Sequence, residues 1–305
     1  MGKKENKLKH DNIHDSFFKS LFSVKDNLED LLHGTLPNEV LQGMKLDTLE
    51  YDPTEYVDQK LAPYFKDISC SMLCGQTNIK ISLLYEHKSY PDKNIHLQLL
   101  RYILNVWEDQ AANKKEPTPV ITMVFYHGKR KWTDSGFIKN VPEELRRFLP
   151  LFDYVLFDTK DIEDHAIIRH FKRPSVKVAV WFMKRSENLI GHIQKNPGLA
   201  REMFMHLEQV DKTIFEKIAL YLYRISDVEP DKISEIMKTI STQTRDAFEE
   251  VRNSLRLVGF EQGIEQGIKQ TAINMIAKGY SDTQIAEITN LNISQIQKLR
   301  KENLH

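Results

Sequence analysis

The chain has only two cysteines, Cys70 and Cys74, in 305 residues. Neither stands among histidines at zinc-ligand spacing. A structural zinc and a disulfide scaffold are therefore excluded, and a reducing cytoplasm is the compartment that fits. Long apolar runs are also missing. A stretch such as Val178 to Met183 is far shorter than the roughly 20 residues that cross a bilayer, so no membrane role is expected. The basic leader MGKKENKLKH is not followed by an apolar segment of signal-peptide length, which argues against secretion. Net charge is absent as well: 43 Lys and Arg balance 43 Asp and Glu. Strong global attraction to nucleic acid or to an anionic membrane is unavailable, and any polyanion must be held by local patches. What remains is the make-up of a folded soluble protein, with 41% hydrophobic and 28% charged residues. The length suits about two domains, or one core with a helical appendage.

The hydrophobic period changes along the chain. Phe17, Phe18, Leu21 and Phe22 share one helical face, continued by Leu28, Leu31 and Leu32 after a cap at Asp26 with Glu29 three residues on, and Leu36-Pro37 ends the pattern. LDTLEY reads as a strand. KDISCSMLC and NIKISLLY read as two more, joined by a turn at Gly75 to Asn78. The last is apolar on both faces near its end, the look of a strand in mid-sheet. Pro91 and Asp92 open a helix to about Gln110 whose apolar residues wrap most of its circumference, which predicts thorough burial around one polar stripe, Asn94, Gln98, Arg101 and Asn105. VITMVFYHG is another core strand, ended by Gly128 ahead of a basic turn, Lys129, Arg130 and Lys131. Tyr154 to Phe157 adds a short strand. Helix, three strands, helix, strand implies an α/β layer with a mixed sheet. From about Asp161 the pattern is helical, and His165 to Arg185 carries six Lys and Arg without one acid, a local basic patch that the neutral total conceals.

Three charges stand where strands should be apolar: Asp67 before ISCSML, then Glu86 and Lys88 closing ISLLYEHK. Strand alternation puts Glu86 and Lys88 on one side, and a neighbouring strand could bring Asp67 beside them. Such a cluster is costly to bury unless a cation and a substrate phosphate compensate, and it suggests a metal site. Mg²⁺, or another hard divalent ion such as Mn²⁺ or Ca²⁺, takes oxygen ligands, which Asp67, Glu86 and the backbone carbonyl of His87 can supply. Lys88 would orient or deprotonate the attacking water, or neutralise charge developing on phosphorus. A plain ion pair at a strand end has the same spacing, and both readings stay open.

These residues resemble the PD-(D/E)XK nuclease superfamily. More narrowly, HDSFFKSLF, Leu36-Pro37, LYEHKSYPDKNIHLQLLRYILNVWE and VFYHGKRKW resemble, in family order across the first half of the chain, the Rpn family of recombination-promoting nucleases, also named "putative transposase". The resemblance implies a restriction-endonuclease-like mixed sheet flanked by helices, and a metal-dependent DNA endonuclease acting in recombination or mobile-element processes. It carries Asp67, Glu86 and Lys88 over as the catalytic set. Gln98 and Tyr102 fit the Gln-x-x-x-Tyr helix motif of the RecB-like branch, with Arg101 between them as a DNA contact. A buried polar pair within the core is the alternative for Gln98 and Tyr102. Family members often carry Gln where this chain has Lys88. His87 falls on the opposite strand face, His127 could contact DNA but reads first as a plain turn residue, and His14 and Asp15 read as capping the first helix, with Asp15 a spare ligand.

Gly259, Gly263 and Gly267 recur every four residues, which in a helix makes one stripe suited to self-association, here a homodimer; a frayed linker is the other reading. TAINMIAKGY, SDTQIAEITN and ISQIQKLRK then have a helix-turn-helix look, with Gly279 as a C-terminal cap, a Ser281/Gln284 capping box and a break from Asn290 to Ser294. Lys298, Arg300 and Lys301 could enter a DNA groove, but the acids of this tail equal its bases, which favours a structural or dimer-forming role. The chain thus divides into a leader at 1–10, a nuclease core at 11–160, a helical segment at 161–255 and an all-helical C-terminal region at 256–305. Two rivals to catalysis are a non-catalytic DNA-binding or recombination-accessory protein, and a protein-interaction factor working through the C-terminal helices.

Overall fold

The computed structural model describes residues 13–51, 68–75, 79–88, 92, 94–133, 141–150, 152–226, 228–238 and 242–303. Residues 79–88, 242–243, 255, 257–265 and 303 are described by backbone alone. Two compact units result, Met1–Arg245 and Asp246–His305.

The first unit is mixed α/β. Helices α1 (residues 13–22) and α2 (Lys25–Thr35) bury Phe17, Phe18, Leu21, Phe22, Leu28, Leu31 and Leu32 along the expected face. Pro37 cannot continue that helix and forces Leu36 into an extended conformation. After one turn of helix, α3 (Asn38–Leu41), come β1 (Met44–Tyr51), β2 (Ile68–Cys74), β3 (Ile79–Lys88), α4 (Ile95–Ala112), β4 (Val120–Tyr126), α5 (Glu143–Arg146) and β5 (Val155–Asp158). Gly75 leaves β2 at φ +68°, a conformation that only glycine adopts without cost.

The five strands form one sheet in the order β1-β2-β3-β4-β5. β1 and β3 run antiparallel to β2, whereas β3, β4 and β5 are mutually parallel. A parallel step needs a crossover, and α4 provides the one between β3 and β4. The doubly apolar β3 is the central strand. Val124 and Tyr126 of β4 pack under Ile95 and Leu99 of α4, with Trp132. Phe125 faces the other way, its ring 5.4 Å from Phe18 of α1 and 5.5 Å from Phe157 of β5. The sheet is therefore covered on both faces, which is why Met123 to Tyr126 are wholly buried.

α4 is not wrapped as its composition predicts. Ile95, Leu99 and Ile103 are buried, but Leu97, Leu104 and Trp107 stay 42%, 45% and 39% exposed. A helix lying on one face of a sheet covers a single stripe, and its outer apolar residues keep their solvent.

Beyond β5 a 3-10 turn (Thr159–Asp161) leads to α6 (Asp164–His170), α7 (Pro174–Arg185), α8 (Leu189–Lys195), α9 (Pro197–Leu207), α10 (Lys212–Ile225) and α11 (Pro230–Lys238). α7 is the hub, with Val176 and every residue from Val178 to Met183 inaccessible to solvent. Its start is capped from α2: Asp30 accepts the Lys172 and Arg173 amides, at 3.0 and 2.8 Å, and Asn27 accepts the Ser175 hydroxyl. Asp26 does not cap α2. Val24 holds that position without a side-chain bond, and Asp26 lies inside the first turn, where it pairs with Arg173.

In the second unit α12 (Thr242–Ala277) is one unbroken helix through Gly259, Gly263 and Gly267, followed by α13 (Asp282–Thr289) and α14 (Ile293–Asn303). Ala272, Met275 and Ile276 meet Ile285 and Ile296 in a small core. Ser281 and Gln284 form the expected capping box, Gly279 sits at φ +83° and Asn290 is left-handed at φ 56°. Arg300 is tied to Asp282 at 2.7 Å and to the Tyr280 carbonyl at 2.8 Å. No helix among the described residues is long and apolar enough to cross a membrane.

Candidate functional site

The parallel strands end in one row. Lys88 of β3 is the register partner of Tyr126 of β4, and Tyr126 is that of Asp158 of β5. Two residues back, Glu86 stands opposite Val124, and His87 stands opposite Phe125. Val124 and Tyr126 belong to the face that α4 covers and Phe125 to the other, so the positions of Glu86 and Lys88 share the α4 face and that of His87 does not. On the opposite flank, β2 begins at Ile68, paired with Tyr85 next to Glu86. Asp67 lies outside the described residues, as do the side chains of Glu86, His87 and Lys88. Among the described residues no group of three His, Cys, Asp or Glu is placed to hold a metal ion.

α4 reaches this corner. The Tyr102 hydroxyl is hydrogen-bonded to that of Ser69, one residue into β2, at 2.6 Å, and the Tyr102 ring packs on the Ile95, Leu99 and Val124 cluster. Gln98 is half-buried one turn earlier and Arg101 is exposed. For Tyr102, the core hydrogen bond is the role seen.

Several expectations for the histidines and the basic stretch are corrected. His14 and Asp15 lie at the start of the described part of α1: His14 is buried with Nδ1 2.8 Å from the Tyr221 hydroxyl, and Asp15 pairs with Lys19 at 2.7 Å. His127 lies in the irregular segment that follows β4, as the turn reading has it, but not as a surface contact for DNA. It is buried, its Nδ1 is 3.1 Å from the Met183 carbonyl, and its ring is 4.8 Å from that of His14. Burial first, then the neighbouring His14, pushes the His127 imidazole down to about 3 against the pull of the Met183 carbonyl. Because the folded value lies below the unfolded one, this group's stability is intact above the unfolded value and is lost as pH falls beneath it. Between pH 6.5 and 5 the wild type should lose about 2 kcal/mol through this group, at about 1.4 kcal/mol per pH unit, and His127→Gln should flatten that slope. Urea midpoints at the two pH values measure it; equal slopes would refute the assignment.

The basic stretch from His165 to Arg185 is an open patch only in part: Arg169 and Lys172 are exposed, but three of its six cations have acidic partners. Arg173 pairs with Asp26. Lys184 and Arg185 converge on Asp164, at 3.0 and 2.7 Å, with the Trp181 indole donating to the same carboxylate at 3.0 Å. The counter-charges sit outside the stretch in sequence, which is why composition hid them. Asp158 went equally unread: buried at the end of β5, it accepts the Trp132 amide at 3.1 Å and the Lys160 amide at 3.0 Å. An acid closing the apolar VLF run was its only signal.

With this geometry in place, relatives can be weighed. Residues 12–214 match the family described as "Putative transposase, YhgA-like", and the chain belongs to that family. Among curated proteins it is 23% identical over 93% of its length, and 96% of the relative, to the Inactive recombination-promoting nuclease-like protein RpnE of Escherichia coli (strain K12). It is 28% identical to the Recombination-promoting nuclease RpnD of Escherichia coli O157:H7, over 60% of this chain and 72% of that protein. The Recombination-promoting nuclease RpnC of strain K12 is 24% identical over 94% and 96%. No solved structure matches the chain. The relatives support a nuclease-related role in recombination, in a family that includes a member named as inactive.

Proposed function

We propose that this protein is a divalent-metal-dependent DNA endonuclease whose site lies at the carboxyl end of the central strand β3. The observation that carries the reading is the register. Glu86 and Lys88 occupy adjacent same-face positions where β3 meets β2 on one side and the parallel ends of β4 and β5 on the other. Crevices at the carboxyl ends of parallel strands are where open α/β sheets bind ligands. The mixed sheet with α4 as its crossover agrees with a restriction-endonuclease-like core. Asp67, two residues before Ser69, completes the set.

The donors suit a hard cation. Asp67 and Glu86 with the His87 carbonyl are an all-oxygen set of the kind Mg²⁺ takes. An ion held there would polarise the scissile phosphate and lower the pKa of a bound water. The chain's own part is positional: β3 fixes Glu86 and Lys88 in a strand paired on both edges, Lys88 steadies charge developing on the phosphate, and Tyr102 locks α4 against the start of β2. A cytoplasmic setting and a homodimer through the Gly259, Gly263 and Gly267 stripe belong to the same proposal.

The name of RpnE favours one second reading, a recombination-accessory protein that keeps the fold and binds DNA without cutting it. Plasmid cleavage decides between them. The purified protein should convert supercoiled DNA to nicked or linear forms with Mg²⁺ or Mn²⁺ and fail with EDTA. A wild type inert with every divalent ion would remove the catalytic reading, and a wild type active in EDTA would remove the metal.

A further inference from the structure

With Lys184 and Arg185 held by Asp164, a cation able to meet a polyanion at the strand ends must come from another element of the first unit. The turn after β4 answers. Its backbone is fixed at both ends: the Tyr126 hydroxyl donates to the Arg130 carbonyl, the Trp132 amide donates to buried Asp158 at 3.1 Å, and the Trp132 indole donates to Tyr154 at 3.0 Å. The Trp132 and Tyr126 rings pack edge to face with centroids 5.0 Å apart. The turn's backbone is thus tied to the sheet, and its three consecutive cations are exposed.

Lys129 and Lys131 are 79% and 73% exposed, and their partners Glu187 and Asp161, each 3.3 Å away, are 49% and 62% exposed. Pairs so open to solvent are worth little and give way to a stronger anion. Arg130 is exposed and has no ion-pair partner among the described residues. The turn springs from Tyr126, the register partner of Lys88, so it rises from the same row of strand ends.

We infer that the Lys129-Arg130-Lys131 turn is the phosphate-gripping element of this site, holding the sugar-phosphate backbone of duplex DNA with Arg130 as its central contact. A guanidinium forks onto two phosphate oxygens, and a pinned backbone carries it there without the entropy cost of ordering a loop. Cations that grip phosphate oxygens rather than base edges fix position on the duplex and give binding without sequence preference. The placement beside Lys88 rests on the proposed nuclease site; the affinity of the turn for phosphate does not require cleavage.

The test is fluorescence anisotropy of the full-length protein on a labelled random-sequence duplex, in Ca²⁺, across a NaCl series. Arg130→Ala should weaken binding about tenfold and reduce the slope of log affinity against log salt by about one, and the triple Ala variant should reduce it by about three. Lys114→Ala with Lys115→Ala, exposed cations in the segment that leads to the amino end of β4, should leave the slope unchanged. In the cleavage assay Arg130→Ala should raise KM and keep kcat, whereas a change at Lys88 should lower kcat. If the wild type binds and the turn variants share its slope, the inference is overturned while the nuclease reading stands on its own assay. If the wild type binds no duplex, both fall. Circular-dichroism melting checks that the variants fold, and the single substitution decides should the triple variant fail.

Discussion

Asp67→Ala and Lys88→Ala are each expected to lower divalent-dependent plasmid cleavage by about 10²–10³-fold, the usual cost of removing one preorganised charge from a hydrolytic site. The size follows from where Lys88 stands. β3 is hydrogen-bonded on both edges, to β2 and to β4, so its backbone cannot move to bring a substitute group into place. The loss should appear in kcat. DNA affinity, carried on the proposed reading by the Lys129 to Lys131 turn, should stay within a few-fold of wild type. Single-turnover cleavage beside anisotropy on the same preparations separates the two quantities. Variants that cut as fast as wild type would show that the hydrolytic site lies elsewhere in the chain. Variants that lose binding and melt early would show that Asp67 and Lys88 serve the fold.

Asp164→Asn should cost about 3–5 kcal/mol of stability in the first unit, because it strips the counter-charge from a lysine whose side chain is largely buried. Asp164 and Lys184 are both only 8% exposed at the side chain, and Arg185 reaches the same carboxylate through Nε at 2.9 Å and Nη2 at 2.7 Å. Asparagine keeps the shape and removes the charge. Burial alone would raise the Asp164 carboxyl, but hydrogen bonds from Arg185, Lys184 and Trp181 outweigh it and hold the group well below the usual carboxylate range. A depressed folded value means that this stabilisation is complete above the unfolded carboxylate value, near pH 4, and is lost as pH falls further. Urea unfolding of wild type and Asp164→Asn should therefore differ most at neutral pH and converge in acid. Asp161→Asn, which breaks an exposed pair with Lys131, should change stability by less than about 1 kcal/mol. A loss of that small size at Asp164 would mean that Lys184 finds water or another partner.

How far the sequence reaches depends on what each residue answers to. The strands at LDTLEY, ISCSMLC, IKISLLY, VITMVFY and VLF were legible because a sheet face imposes a period of two and a buried strand an apolar run. The Ser281/Gln284 box and the Gly279 cap were legible because caps are local chemistry, settled within four residues. α4 was misjudged because apolar content does not say how many faces a neighbour will cover. Asp26 was misread as a cap because its partner, Arg173, lies 147 residues away in the chain.

The proposed site divides along the same line. Its residue types, two carboxylates and a lysine at strand ends, were written in the sequence, and so was membership of the family that residues 12–214 match. The sequence by itself determined the element types, the local caps and the identity of the charged groups, since backbone period and side-chain chemistry act over a few residues. Only the tertiary structure decided which charges remain available to a partner. It tied Lys184 and Arg185 of the acid-free basic stretch to Asp164, paired Arg173 with Asp26, and buried His127. It also raised a three-residue turn onto the row of parallel strand ends. Coulomb interactions respond to distance in space and to burial rather than to order along the chain.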